Sequence, residues 1–239
     1  MPTKRGRQLP ATNGHDLSKQ TPVRSLLKDQ AYAAIKGHIL RSDLGSGAFL
    51  AERQLAAQLQ MSKTPIRAAL ERLEAEGFVT ISPQQGIIVR DFTIHEIADQ
   101  YETRVALETY VLRAVSGKLT SDQIARLQSN LAEQDALRGS RDFDQCVVLD
   151  AAFHMLFCEF LGNAEILRIM GQLREKIQRV ITRVFHTNSQ RFVGSVEEHR
   201  AIAEAVIGGD GGTAAKLIEL HLEYGKQSLL SPRRGQVLS

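Results

Sequence analysis

Residues 26–89 hold five elements in one short stretch, and their order limits the fold more than any other feature of the chain. Leu27, Ala31, Ile35, Ile39 and Leu40 recur at helical spacing from Leu26 to about Arg41. The stretch SDLGSG then stops that helix with glycines. A short helix follows from Glu52 to about Gln60, with Leu55, Ala56 and Leu59 on one side. Met61-Ser62-Lys63 makes a tight connection. The third helix reads with Thr64 as N-cap and Pro65 at its first position. Ile66, Ala69, Leu70 and Leu73 form its apolar face, and Gly77 closes it. Phe78–Ile81 and Ile87–Val89 read as strands joined by the turn SPQQG. Helix, helix, tight turn, helix, hairpin is the order of a winged helix-turn-helix. In that unit the helix after the tight turn enters the DNA major groove.

The opening of that third helix fits the same reading. Free N–H groups and the helix dipole favour phosphate at a helix N-terminus. Lys63 and Arg67 add cationic donors there, and Ser62 and Thr64 add hydroxyls. Arg and Lys can pair with the O6 and N7 of guanine. An isolated Thr-Pro step with a neighbouring lysine also fits plain capping and a solvated charge; the five-element order is what favours DNA. Charge agrees. Up to Arg90 there are 13 Lys and Arg against 7 Asp and Glu; thereafter there are 17 against 20. The basic half suits a polyanion, although a polar, aperiodic stretch over 1–23 supplies much of the excess and reads as a disordered arm.

From Ile94 onward no strand pattern is visible. Helices are expected over 94–117, 121–138, 141–161, 164–187, 193–208 and 212–229, which makes an all-α six-helix bundle. The expected fold class is therefore mainly α: a winged helix-turn-helix over 24–92, a helical unit over 93–230, and a loose tail over 231–239. In the bundle, Asp150 and His154 sit four residues apart and share one helix face. His199 and His221 stand in the last two helices beside apolar neighbours. A lone inward histidine is commonly a core residue. Three histidines with one aspartate are a donor set suited to Zn, Ni, Fe or Mn. Arg104 has Glu108 four residues on, an ordinary helical salt-bridge spacing.

These residues resemble the GntR-type bacterial transcription regulators. The likeness runs through AYAAIKGHIL at 31–40, LAERQLAAQLQMSKTPIRAALERLEAEGFV at 50–79 and QGIIV at 85–89. It implies that Arg53, Ser62, Lys63, Thr64 and Arg67 contact phosphates and bases, and that Gly86 lets the wing approach the minor groove. Two places depart from the pattern. Ala51 stands where a capping serine is usual, and Gln84-Gln85 where a basic residue often precedes the wing glycine. The second half resembles the FCD effector domain of the FadR-type branch, through YETRVALE at 101–108, LDAAFHMLFCEFLGN at 149–163, EEHRAI at 197–202 and LHLEY at 220–224. Metal-binding members use an Asp, a His four residues later and two further His. The resemblance thus implies a divalent metal at Asp150, His154, His199 and His221, Zn2+ ahead of Ni2+ or Mn2+, with positions left for water or an effector carboxylate. Arg104 would anchor a small carboxylate effector.

The reading that follows is a homodimeric regulator of a double-stranded DNA operator: a repressor released by a small organic acid. Its alternative is a metal-dependent, hydrolase-like enzyme with a DNA-binding appendage, for which no dedicated general base is visible; a sequence-blind architectural DNA protein is a third. No apolar run is long enough to span a membrane, and no secretory signal is seen. Cys146 and Cys158 lie 12 residues apart on one expected helix, about 18 Å and too far for a disulfide. They read as buried small hydrophobes in a reducing cytoplasm. Asn163 reads as a helix cap. His15, His38, His95 and His186 show no partners.

Overall fold

The structure, a computed structural model, describes residues 21–40, 43–82, 86–187 and 190–230. Most of the expected arm, the wing-tip Gln84-Gln85, the break at Asn188-Ser189, His15 and the tail lie outside these residues. The chain divides into two compact units. One takes the chain up to Lys36 with Phe49–Ile88; the other takes Gly37–Ala48 with the chain from Val89 onward.

The first unit contains most of α1 (Thr21–Leu40), then β1 (Phe49–Leu50), α2 (Glu52–Gln58), α3 (Lys63–Ala75), β2 (Val79–Ser82) and β3 (Gly86–Val89). Helix α1 starts at Thr21, so residues 21–23 are helical rather than part of an arm. The apolar stripe read from the sequence forms the core: Ile35, Ile66, Leu70, Leu73 and Phe78 are all almost fully buried. A polar knot ties α1 to α3. Buried Lys36 donates to Glu76 Oε2 at 2.7 Å and to the Tyr32 hydroxyl, which donates to the same carboxylate at 2.6 Å. The strands pair in the order β1-β3-β2, with Phe49 opposite Ile88 and Leu50 opposite Ile87. At two residues, β1 is too short to show alternation in the sequence.

The start of α3 corrects one expectation. Ser62, not Thr64, is the N-cap: its backbone is extended, and helical geometry begins at Lys63. Pro65 then falls on the third helical position, where its missing N–H would have no partner inside the helix. Gly77 closes the helix at φ +81°, with Phe78 N–H on Leu73 O and Gly77 N–H on Glu74 O, a Schellman arrangement. Ala51 caps α2 without a side-chain hydrogen bond.

The second unit is a bundle of α4 (Ile94–Val115), α5 (Ser121–Ala136), α6 (Phe143–Leu161), α7 (Ala164–Thr187), α8 (Gln190–Ile207) and α9 (Gly211–Leu230). Local chemistry sets the boundaries. Thr93 with Glu96 and Thr120 with Gln123 form capping boxes. Asp142 caps α6, Gly162 ends it in left-handed geometry, and Asn163 accepts from the N–H groups of Glu165 and Ile166. Helix α9 lies against α4. A Cβ at Gly211 would stand 3.1 Å from the Arg113 Cα, a contact that would push the two helices apart by a few tenths of an ångström. Phe153, Leu112, Leu127, Ile202, Ile218 and Leu222 fill the core. Cys146 and Cys158 are buried free thiols, with burial pushing them up to about 11 and about 12. Among the described residues, no helix is long and apolar enough to cross a membrane.

Candidate functional site

In the first unit, the residues expected at DNA are each exposed. Ser62, Lys63 and Thr64 stand exposed at the first turn of α3, Arg67 follows one turn on, and Arg53 is exposed on α2. Gly86 is exposed at φ +81°, with nothing within 4 Å of where a Cβ would be. Ser62 makes no side-chain cap bond. The first-turn N–H groups of α3 therefore have no acceptor from it, which suits an incoming anion. The tight turn before α3 puts Gln60 at φ +53°, in the left-handed region.

Arg67 has a partner that the sequence did not show. Its Nε and Nη2 donate to the two carboxylate oxygens of Glu52 at 3.1 and 3.0 Å, across 15 residues of chain. Arg67 is 63% exposed and Glu52 26%. The pairing holds the guanidinium fork in one direction and leaves it at the surface.

In the second unit, α6 supplies Asp150 and His154, α8 supplies His199 and α9 supplies His221; all four are buried. Their potential ligand atoms all lie within 4.8 Å of one another. Each imidazole is oriented from behind through Nδ1. Glu108 Oε2 is 2.6 Å from His154, Gln134 Oε1 is 2.9 Å from His199, and Glu198 Oε2 is 2.5 Å from His221. Gln134 is itself fixed, donating to Asn130 at 2.7 Å, and Phe153 stacks on the His199 ring at 4.0 Å. An acceptor at Nδ1 leaves the proton there and turns the Nε2 lone pair inward. The Nε2 atoms of His154 and His199 are buried with no hydrogen-bond partner. The closest carboxylate oxygen to the latter, Asp150 Oδ1, is 3.8 Å away. Buried acceptors without donors are costly. Three imidazoles oriented through Nδ1, two of them with partnerless Nε2 atoms, and one carboxylate form a donor set that fits a divalent cation.

Burial keeps two of the imidazoles, His199 and His221, neutral where a cation would enter. Burial holds His199 well below the usual imidazole value, with repulsion from His221 and His154 adding to it. Burial also lowers His221, although its bond to Glu198 opposes the shift. Burial pushes the Glu108 carboxyl up, but Arg104 and His154 outweigh it and hold it at about 2. The orienting residues come from α4, α5 and α8. Helix α7 supplies neither a donor nor an orienting side chain among the described residues.

Two cavities adjoin the cluster. One, about 30 Å³ in volume, is lined by Tyr101, Arg104, Asp150, Arg191, Ser195 and His221 among others. The other, about 20 Å³, lies between α6 and α7 and is mostly apolar. Arg104 reaches both. It is buried, and its Nε donates to Glu108 Oε1 at 2.7 Å, so it makes the i,i+4 salt bridge while lining a cavity. Arg191, which the sequence did not signal, lines the first cavity and donates to both oxygens of Glu198 at 2.9 and 2.8 Å. His38 also has an unexpected partner, Asp43, at 3.0 Å. His95 is exposed, and Cys146 and Cys158 take no part in the cluster.

A helix-turn-helix with an exposed cationic reading edge, joined in one chain to a helical unit with a buried polar centre, defines a DNA-binding transcription regulator. The chain belongs to the gntR family of bacterial regulatory proteins: the family model matches residues 27–89, and the FCD domain matches residues 99–224. The Nta operon transcriptional regulator of Aminobacter aminovorans is 31% identical over 78% of this chain and 86% of its own. The HTH-type transcriptional repressor RspR of Escherichia coli is 23% identical over 87% of this chain and 91% of its own. Among solved structures, E. coli McbR/YncC has the same fold, with a TM-score of 0.74 at 20% identity, covering 85% of this chain and 96% of that one. These relatives are regulators and not enzymes, which sets aside the hydrolase reading.

Proposed function

We propose that this chain acts as a homodimeric, metal-containing repressor whose operator affinity is set by a small organic acid bound in the helical unit. In this reading residues 24–92 read DNA, and residues 93–230 hold the effector and the dimer contact. The observation that carries it is the pair of buried, partnerless Nε2 atoms of His154 and His199, facing Asp150 and His221 beside a cavity that Arg104 and Arg191 line. Asp150, His154, His199 and His221 would hold the cation, Zn2+ in the first instance. The cation would supply Lewis acidity toward a carboxylate oxygen. The chain's own residues do the rest. Glu108, Gln134 and Glu198 fix the imidazole directions, and Arg104 presents its guanidinium edge to the acid. Arg53, Ser62, Lys63, Thr64 and Arg67 would meet phosphates and base edges, and Gly86 the minor groove.

The repressor direction draws support from relatives named as repressors, RspR of E. coli and the gluconate operon repressor of Bacillus licheniformis. The acid must bind one arrangement of the dimer better than the other, since equal affinity shifts nothing. Operator DNA must then change acid affinity by the same factor. Elemental analysis of the purified wild type and of His154→Ala tests the centre. The expected result is near-stoichiometric metal in the wild type, lost in the variant. Absence of metal from both after incubation with zinc, nickel and manganese would reduce the four residues to polar core.

A further inference from the structure

The mostly apolar cavity between α6 and α7 reaches Arg104, Asp150 and His154 at one end and carries a second guanidinium, that of Arg174. Its walls are Val147, Ala151 and Met155 from α6, and Met170, Ile177 and Ile181 from α7. On α7 these residues stand at helical spacing, and Arg174 sits on the same face among them, also lining the cavity. The other arginines here are paired, Arg104 with Glu108 and Arg191 with Glu198. Among the described residues, Arg174 has no acidic partner within ion-pair distance. A half-buried guanidinium on an apolar wall is poorly solvated and attracts an anion.

The charges agree with that placement. This step rests on the metal and acid-effector reading above. Arg104 cancels Glu108, and Arg191 cancels Glu198. Asp150 offsets half of a divalent cation, and ligating imidazoles are neutral. The loaded centre therefore keeps about one positive charge and Arg174 adds another, so a ligand with two negative charges, one at each place, leaves no buried charge unbalanced. We propose that the ligand of this domain is a dicarboxylate with an apolar spacer, one carboxylate at Arg104 beside the histidine cluster and the other at Arg174 across the chamber. Arg104 and Arg174 line the same cavity, so one ligand can reach both. The spacer length that suits the two arginines is read from a series of dicarboxylates.

Calorimetric titration of the full, zinc-incubated chain with succinate, adipate, suberate and hexanoate tests this. Adipate and hexanoate have the same number of carbons and differ in one acidic end. At least one dicarboxylate should bind about tenfold more tightly than hexanoate. Arg174→Gln should erase that margin and leave hexanoate unchanged. Hexanoate binding as tightly as every dicarboxylate, or a margin that survives Arg174→Gln, overturns the proposal and leaves the acid-effector reading standing, with Arg174 a solvated wall residue. Failure of all four acids to bind a wild type that holds its zinc removes both.

Discussion

The molecule contains the same pair of side chains in two solvents. Arg67 with Glu52, and Arg104 with Glu108, each join a guanidinium to a carboxylate at close to 3 Å. The first pair sits at the surface, where water screens it and its contribution to stability is small. Such a pair can open, so Glu52 can aim Arg67 without withholding it. The second pair is 7% and 4% exposed. Opening it would strand charges in a low-dielectric interior, so Arg104 is part of the fold before it can be part of a binding site. Exposure, not residue type, decides which arginine is available to exchange partners.

The largest effect should come from breaking the buried pair. Glu108→Ala leaves Arg104 unpaired and His154 without its orienting acceptor. It should cost about 3–5 kcal/mol, read from urea denaturation, and metal content should fall with it. A loss below 1 kcal/mol would mean that water reaches the pair. The next effect is a pH dependence confined to the buried centre. In metal-free protein His199 and His221 have folded values below their unfolded ones. Their contribution is therefore full above about pH 6.5 and is lost as pH falls below it, at no more than about 1.4 kcal/mol per pH unit for each proton taken up. Thermal scans between pH 8 and 5 would show it, and a flat profile would place these rings in solvent. The smallest effect belongs to the exposed pair. Arg67→Ala should weaken operator binding on the order of tenfold. Glu52→Gln should leave stability unchanged but tighten binding to random DNA by a few-fold, narrowing discrimination. Unaltered discrimination in Glu52→Gln would make the carboxylate a bystander.

Much of this was legible in the sequence. The six helices of the second unit follow from apolar spacing, from glycine and polar breaks, and from Asn163 as a cap; the capping boxes at Thr93 and Thr120 came only with the structure. The tight turn before α3 follows from a short polar break between two apolar stripes. The Asp150/His154 face follows from spacing alone; its meeting with His199 and His221 rests on packing, and was anticipated through family resemblance. What stayed hidden has a common cause. Glu52, Gln134, Arg191 and Glu198 act on partners 7 to 65 residues away. In sequence they look like ordinary polar positions on amphipathic helices. The N-cap shifted from Thr64 to Ser62 because a proline is admissible anywhere in a first turn.

Helix α7 has a different consequence. Every other helix of the second unit commits a side chain to the histidine centre or to its support, so change in any of them risks the centre. Among the described residues, helix α7 lends that centre only a wall. Its inward residues can drift without disturbing the four donors or their acceptors, and a lineage of such proteins could acquire new inducers by rewriting this one helix while inheriting the rest intact.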